Sequence, residues 1–328
     1  MNWLTWRQYR SQALAGYAAL AAMLVFLGFA GWQILDAYKS SGLARCLPAG
    51  GQECFDLSSA FSQRYTTMQF FVLFLLVVPV LVGMFWGAPL VARELEHGTH
   101  RLAWTQSVTR GRWITSKLVI IGASTLAFSG VLSAAVWWWS RPLVATGWNS
   151  FEPGIFDLRG IVPVAYTLFA VALGVALGAL MRKTLPAVFT TLAVFAAVRL
   201  GIILFLREHY MAAKSVVFGL SSSSPLIRSG DDWVLSSNMV DRAGHVVSNF
   251  GGLEVGFLAR QCPAMVQAGS KGSGDLKIQC FERLGLRNAE VFHPADRYWT
   301  FQAIEAAIFL ALTALLVVYI VRRVKRVA

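Results

Sequence analysis

Six stretches of this 328-residue chain are long, apolar and nearly free of charge. Each is about the length needed to cross a bilayer. A hydrocarbon core of ~30 Å takes roughly 20 residues of helix. Lipid offers no partner to backbone N–H and C=O groups, so a helix must satisfy them internally. The stretches are 13–35, 68–92, 118–139, 161–181, 185–206 and 301–321. The first four carry no charge, the fifth holds Arg199 and the sixth Glu305. Helices of a soluble core rarely stay charge-free for 20 residues, and the composition agrees. Hydrophobic residues make up 56% of the chain and charged residues only 14%, against about a quarter charged in soluble domains. A soluble domain, a disordered chain and a coiled coil are excluded on these grounds. The first stretch exceeds the apolar region of a secretory signal, so it reads as a retained anchor.

Charge sets the expected orientation. An even number of spans puts both ends on one side. With that side as the cytoplasm, the inside segments collect thirteen basic residues and only two acidic ones, Glu94 and Glu96. The outside segments are nearly balanced, with fifteen basic and fourteen acidic residues. The net charge of +12 is therefore a membrane-orientation signal and does not call for nucleic acid. The cysteines follow the same division. Cys46 and Cys54 fall in the first outside segment, Cys262 and Cys280 in the last. Disulfides persist outside the cell. Four cysteines allow three pairings, of which Cys46–Cys54 and Cys262–Cys280 close the shortest loops.

Residues 1–12 interleave Trp3, Trp6, Arg7, Tyr9 and Arg10, as an amphipathic helix in the headgroup layer would. Residues 13–206 hold spans one to five, with a charged cytoplasmic loop at 93–113. Residues 207–300 are long enough for a small extracellular domain. Within it, Trp233 onward and His245 onward read as strands around the turn Asp241–Gly244, and 275–286 as a short amphipathic helix. Residues 301–328 hold the last span and a basic tail. Trp137, Trp138 and Trp139 end the third span, where an interfacial aromatic belt belongs. Gly174 and Gly178 form a GxxxG pair, either a device for close helix contact or incidental small residues in a Gly/Ala-rich span. The expected fold is thus all-α and polytopic: six transmembrane helices, both termini cytoplasmic, and a small mixed α/β extracellular domain between helices five and six.

The loop after the second span is the densest in chemistry: Arg93, Glu94, Glu96, His97, Gly98, Thr99, His100 and Arg101 lie within nine residues. The positive-inside rule accounts for its arginines but not for its glutamates. Gly98 can end a helix and Thr99 can start another. This Glu-x-Glu-x-Gly-Thr pattern resembles permease subunits of ABC exporters of the type-two (type V) class. The following Leu-Ala-x-Thr-Gln-Ser-x-Thr-Arg-x-Arg-Trp, and the patch from His293 to Glu305, are similar to actinobacterial members. The resemblance covers essentially the whole chain. It implies that the first cytoplasmic loop, 93–113, is the coupling helix, with Glu94, Glu96, Gly98 and Thr99 at its hallmark positions, docking a cytoplasmic ABC ATPase of which each transporter has two copies. It also implies a second permease, as an identical copy or a sister chain, in the plasma membrane. Membrane lipid would be the surrounding partner, and no nucleic acid is involved.

The chain itself lacks a P-loop. The nearest candidate, Gly269–Gly274, is followed by Asp275 where lysine is needed. It is therefore expected not to be an enzyme and to bind no cofactor, with ATP and Mg²⁺ residing in the partner ATPase. His97 and His100 read as partner-facing polar groups. Arg199 and Glu305 both fall in the outer half of their spans, and a pair between adjacent helices is the economical expectation, since intramembrane charges are costly alone. Glu152 and Asp157 in the outside segments form no recognisable constellation. The expected activity is export of an amphiphilic, drug-like, lipid or peptide substrate. The rival from another class is a membrane-anchored sensor or scaffold whose extracellular domain binds a ligand.

Overall fold

The computed structural model describes residues 2–49, 51–98, 109–219, 231–249, 261–262 and 280–326. Six of its helices are long and apolar enough to cross a membrane: Arg10–Ser40, Phe70–Glu96, Arg110–Ala145, Val162–Met181, Thr184–His209 and Ala295–Arg326, here spans one to six. The chain forms two compact units, Met1–Arg207 with Trp299–Ala328, and Glu208–Tyr298.

Among the described residues the regular elements of the first unit are all helices. Span one belongs to an unbroken helix, Asn2–Ser40. The amphipathic segment expected at 1–12 is therefore not a separate element. No proline falls between residues 2 and 15, and the helix simply continues. Two short helices follow, Leu43–Ala49 and Gln52–Arg64. A Cys46–Cys54 disulfide with Cα atoms 5.5 Å apart joins them.

Spans two and four cross with their backbones in close approach. Span two opens into a π-helical turn at Gly83–Gly87, and this turn lies against the Gly174–Gly178 face of span four. A Cβ on Gly174 would stand 2.4 Å from the Gly83 carbonyl oxygen, and one on Gly178 would stand 2.6 Å from that of Ala88. From the other side, a Cβ on Gly87 would meet the Val171 oxygen at 2.5 Å. The GxxxG pair is thus half of a reciprocal glycine contact with Gly83 and Gly87. Without side chains the two backbones approach to a distance where dispersion is large, and lipid cannot compete for it.

Two apolar clusters lie among the described residues of the unit. One gathers Leu20, Trp86, Val91, Trp113, Val175 and Val324 among others. The second gathers Leu27, Leu43, Leu75, Trp139, Trp148 and Leu158. The tight link between spans four and five turns at Arg182, which takes a left-handed φ of 55°.

Among its described residues the second unit holds a four-stranded antiparallel sheet. Its strands are β1 (Lys214–Gly219), β2 (Trp233–Val240), β3 (Val246–Asn249) and β4 (Arg287–His293), in the order β1-β4-β2-β3. The β2–β3 turn is built on Asp241, whose Oδ1 accepts the backbone N–H groups of Ala243 and His245, both at 2.9 Å. The His245 N–H bond chiefly holds the Asp241 carboxyl below its ordinary pKa. Gly244 supplies the positive φ of 88° that the turn needs. Cys262 and Cys280 are joined, Cα to Cα 6.0 Å. Most of the 275–286 helix expected from the sequence lies outside the described residues, and its end at Cys280–Arg283 is helical.

Candidate functional site

Two clusters of charge inside the membrane unit carry the chemistry of this chain. The first lies where span two ends. The helix Ala88–Glu96 presents an apolar face, with Leu90, Val91 and Ala92 buried, while Arg93 and His97 are exposed. Glu94 Oε1 accepts from Lys117 Nζ of span three at 2.6 Å, and the same Nζ donates to the Leu90 carbonyl at 3.1 Å. Lys117 also sits over the Trp113 ring, 4.7 Å from its centroid. Glu96 Oε2 accepts from both the backbone N–H (3.0 Å) and the hydroxyl (2.7 Å) of Thr184. It thereby satisfies an orphan donor in the first turn of span five and places negative charge at that helix N-terminus. The two glutamates therefore clamp the end of span two to spans three and five.

Beyond Glu96 the helix stops at His97, whose Nδ1 contacts the Arg93 carbonyl oxygen at 2.8 Å, and Gly98 turns the chain with φ 70°. Thr99, His100 and Arg101 lie outside the described residues. Thr109 then caps span three, its hydroxyl accepting the Arg112 N–H at 3.4 Å.

The second cluster is buried and nearer the other end of the spans. Arg207 donates from Nε (2.9 Å) and Nη2 (2.7 Å) to the two oxygens of Glu305, a bidentate pair between spans five and six. The same Nη2 reaches Asp157 Oδ1 at 2.5 Å. Arg199 Nη2 donates to Asp157 Oδ2 at 2.8 Å, and its Nη1 donates to the Leu76 carbonyl of span two at 3.0 Å. The Tyr166 hydroxyl sits between Asp157 and Glu305 and also accepts from Arg207 Nη2 at 3.1 Å. Glu305, Arg207 and Asp157 are at most 2% exposed. Two cations face two carboxylates, so the cluster is neutral as a whole. That is the condition under which buried charge is tolerated.

The expected direct pair between Arg199 and Glu305 is not formed. Arg199 pairs with Asp157 and Glu305 with Arg207, and the four meet through Asp157 and Tyr166. The correction has a plain cause. Arg207 stands one residue beyond the fifth apolar run, 185–206, so a hydropathy reading assigns it to the outside segment together with Asp157. The helix continues through a second π-helical turn, Ile202–Leu206, to His209, and this carries Arg207 into the core. The one sequence signal was charge balance: two intramembrane charges of opposite sign imply partners, but not which ones.

Gln302 reinforces the same region. Its Oε1 accepts the Ile161 and Val162 N–H groups, both at 3.1 Å, and its Nε2 donates to the Phe156 carbonyl at 2.9 Å. Span six is thus pinned to the start of span four. The arrangement ties spans two, four, five and six together through side chains buried among them. Among the described residues no three His, Cys, Asp or Glu side chains gather where they could hold a metal ion.

Among the described residues, two sizeable apolar cavities indent the unit. One of about 730 Å³ lies among spans three, four and six, with Gly130, Trp137, Val164 and Trp299 in its lining. The other, about 460 Å³, lies between spans one and two, beside Gly16, Phe74, Phe85 and Trp86. Both volumes fall in the range of small-molecule sites.

Six apolar helices carrying buried, mutually neutralised charge define a multi-pass helical membrane protein. The family model described as ABC-2 membrane transporter related matches residues 15–207, more than half of the chain, and the chain belongs to that family. It is a membrane transporter permease of the plasma membrane. The comparisons with curated proteins and with solved structures returned no match.

Proposed function

We propose that this permease is half of the transmembrane pathway of an ATP-driven exporter, of the actinobacterial type its loop and its 293–305 patch resemble. In this reading both termini and the loop 93–113 face the cytoplasm, and the 207–300 insertion faces outward. Two ABC ATPase subunits bind below, holding the ATP and Mg²⁺, and the permease pairs with a second copy or a sister chain. It performs no hydrolysis of its own. An amphiphilic or lipid-like substrate suits the apolar cavities. The observation that carries the proposal is the double clamp at the end of span two. A push delivered to the exposed Arg93–His97 edge reaches span three through Glu94–Lys117 and span five through Glu96–Thr184. Transmission requires such a stiff, multiply anchored element. The glutamates then act as levers inside the permease, and the exposed Arg93 and His97, with Thr99, His100 and Arg101, meet the ATPase.

The test is purification of the tagged chain from its native cells in mild detergent, with assay of bound ATPase activity and transport. A P-loop subunit should copurify with wild type and be lost from an Arg93→Glu/His97→Glu variant. A Glu94→Gln/Glu96→Gln variant should keep the subunit and hydrolysis but lose most transport. If wild type brings down no ATPase while its oligomer is preserved, the transporter reading loses its energy source and a sensor role takes its place.

A further inference from the structure

The last turns of span six carry a stripe that nothing in the coupling scheme uses. Leu315, Val318, Tyr319, Arg322, Arg323 and Arg326 line one cavity of about 380 Å³. At 3.6 residues per turn they occupy a single arc of about 140° on the helix. The opposite face is committed to the core, with Ile320 fully buried and Val324 4% exposed. The stripe itself is open: Leu315 is 68% exposed, Val318 46% and Tyr319 40%.

Its chemistry changes along its length. Leu315 to Arg326 covers roughly 16 Å of helix rise, about half a bilayer core. The apolar residues come first, then a tyrosine at the depth where interfacial aromatics sit, then three arginines. From Trp299 at the other end of the span to Arg322 is roughly 35 Å, which places the arginines at the headgroup layer.

Helix-dipole attraction and the positive-inside rule account for basic residues after a span. They do not account for three arginines continuous with an exposed apolar strip. Among the described residues none of Arg322, Arg323 and Arg326 forms an ion pair with a carboxylate, and the buried Nε of Arg323 has no hydrogen-bond partner. Three planar donor groups without an anion are matched by a phosphate, which accepts bidentate guanidinium bonds.

We propose that this stripe is a binding site for an anionic phospholipid, its phosphate held by Arg322, Arg323 and Arg326 and one acyl chain laid along Leu315 and Val318. Charge complementarity selects the anionic headgroup, and the apolar strip selects a lipid over a free phosphate. A neutral lipid would leave the guanidinium groups without a counter-charge.

The experiment uses the full-length chain in neutral detergent. Retained lipid is measured by native mass spectrometry during titration with phosphatidylglycerol, phosphatidylcholine or inorganic phosphate. Phosphatidylglycerol should be retained in preference to phosphatidylcholine, and inorganic phosphate should not displace it. An Arg322→Gln/Arg323→Gln/Arg326→Gln variant should lose the preference about a hundredfold, at roughly fivefold per arginine. The Arg→Lys counterpart should keep most of it. Removing three charges at the far end, Arg45→Gln/Arg64→Gln/Arg141→Gln, should leave it intact. Equal retention of both lipids, wild-type retention by the Gln variant, or displacement by inorganic phosphate would each overturn the site. So would a Gln variant that keeps the lipid but loses a copurifying protein, which would make the stripe a protein interface.

Discussion

Arg207 and Glu305 show what a single charge costs inside this molecule. Each is affordable only because the other is there, and Asp157, Tyr166 and Arg199 complete the neutral set. Removing one member leaves an uncompensated buried charge, which costs about 3–5 kcal/mol. A Glu305→Ala variant should therefore unfold far below wild type in a detergent thermal melt. An Arg207→Met/Glu305→Leu double variant, which deletes the pair together, should recover much of the loss. Exchanging Arg199 and Glu305 should rescue nothing, since they are not direct partners. His293 is a residue-scale case in the second unit. It is fully buried, its Nε2 lies 3.1 Å from the Glu208 carbonyl oxygen, and its Nδ1 accepts from Arg297 at 3.2 Å. Burial first, and then Arg297, push its pKa below the ordinary histidine value, against the opposing Glu208 carbonyl. A histidine held neutral stabilises the fold fully above its unfolded pKa of about 6.5. That contribution is lost as pH falls toward the lower folded value. Hydrogen exchange across β4 should accelerate as pH drops below about 6.5 once intrinsic rates are divided out, and a His293→Gln variant should flatten the dependence.

At the scale of elements, glycine decides which helices touch. Gly83, Gly87, Gly174 and Gly178 let spans two and four meet backbone to backbone, and the added methyl of Gly174→Ala would lie 2.4 Å from a carbonyl oxygen. That contact cannot be relieved by rotating a side chain, so the spans must separate. Overpacking of this kind costs about 1–3 kcal/mol. Gly174→Ala should lower the midpoint of detergent unfolding. Gly122→Ala, where no atom lies within 4 Å of the new Cβ, should leave it unchanged or raise it slightly through helix propensity. The same crossing gives span two a rigid seat near Ala88, a few residues before the Glu94 and Glu96 clamps. Helix and clamp together form one element that can move as a body.

For the whole molecule the decisive question is which way the spans run. The proposed topology puts both disulfides in outward connections and the Arg93–His97 edge in the cytoplasm. In intact cells a membrane-impermeant maleimide should label Cys46, Cys54, Cys262 and Cys280 only after reduction. A His97→Cys variant should stay unlabelled until the membrane is opened. The reverse pattern would invert the orientation and with it the export reading. Loss of a disulfide should also be unequal in effect. Cys46–Cys54 staples two short helices whose Leu43 is fully buried in an apolar cluster, whereas Cys262–Cys280 closes on the small Phe281–Leu286 cluster of the second unit.

Much of this was readable from the residues alone. Hydropathy located all six spans, because the bilayer demands about 20 apolar residues wherever it is crossed and no tertiary contact can waive that demand. Turn chemistry located the β2–β3 hairpin, since Asp241 and Gly244 act on their own backbone. The loop 93–101 announced itself by acid where acid was not expected. What Glu94 and Glu96 actually hold, Lys117 and Thr184, was hidden, because those partners stand 23 and 88 residues away and pairing across helices leaves no periodic trace. The continuation of span one back to Asn2 was hidden too, since a helix entering the membrane and one lying upon it can share the same residues. The buried network was hidden most of all. Asp157, Tyr166 and Arg207 look like loop and span-end residues by composition. Only the packing of spans four, five and six, with a π-helical turn advancing Arg207 into the core, brings them to Glu305, because intramembrane charges are neutralised by whatever the fold sets beside them.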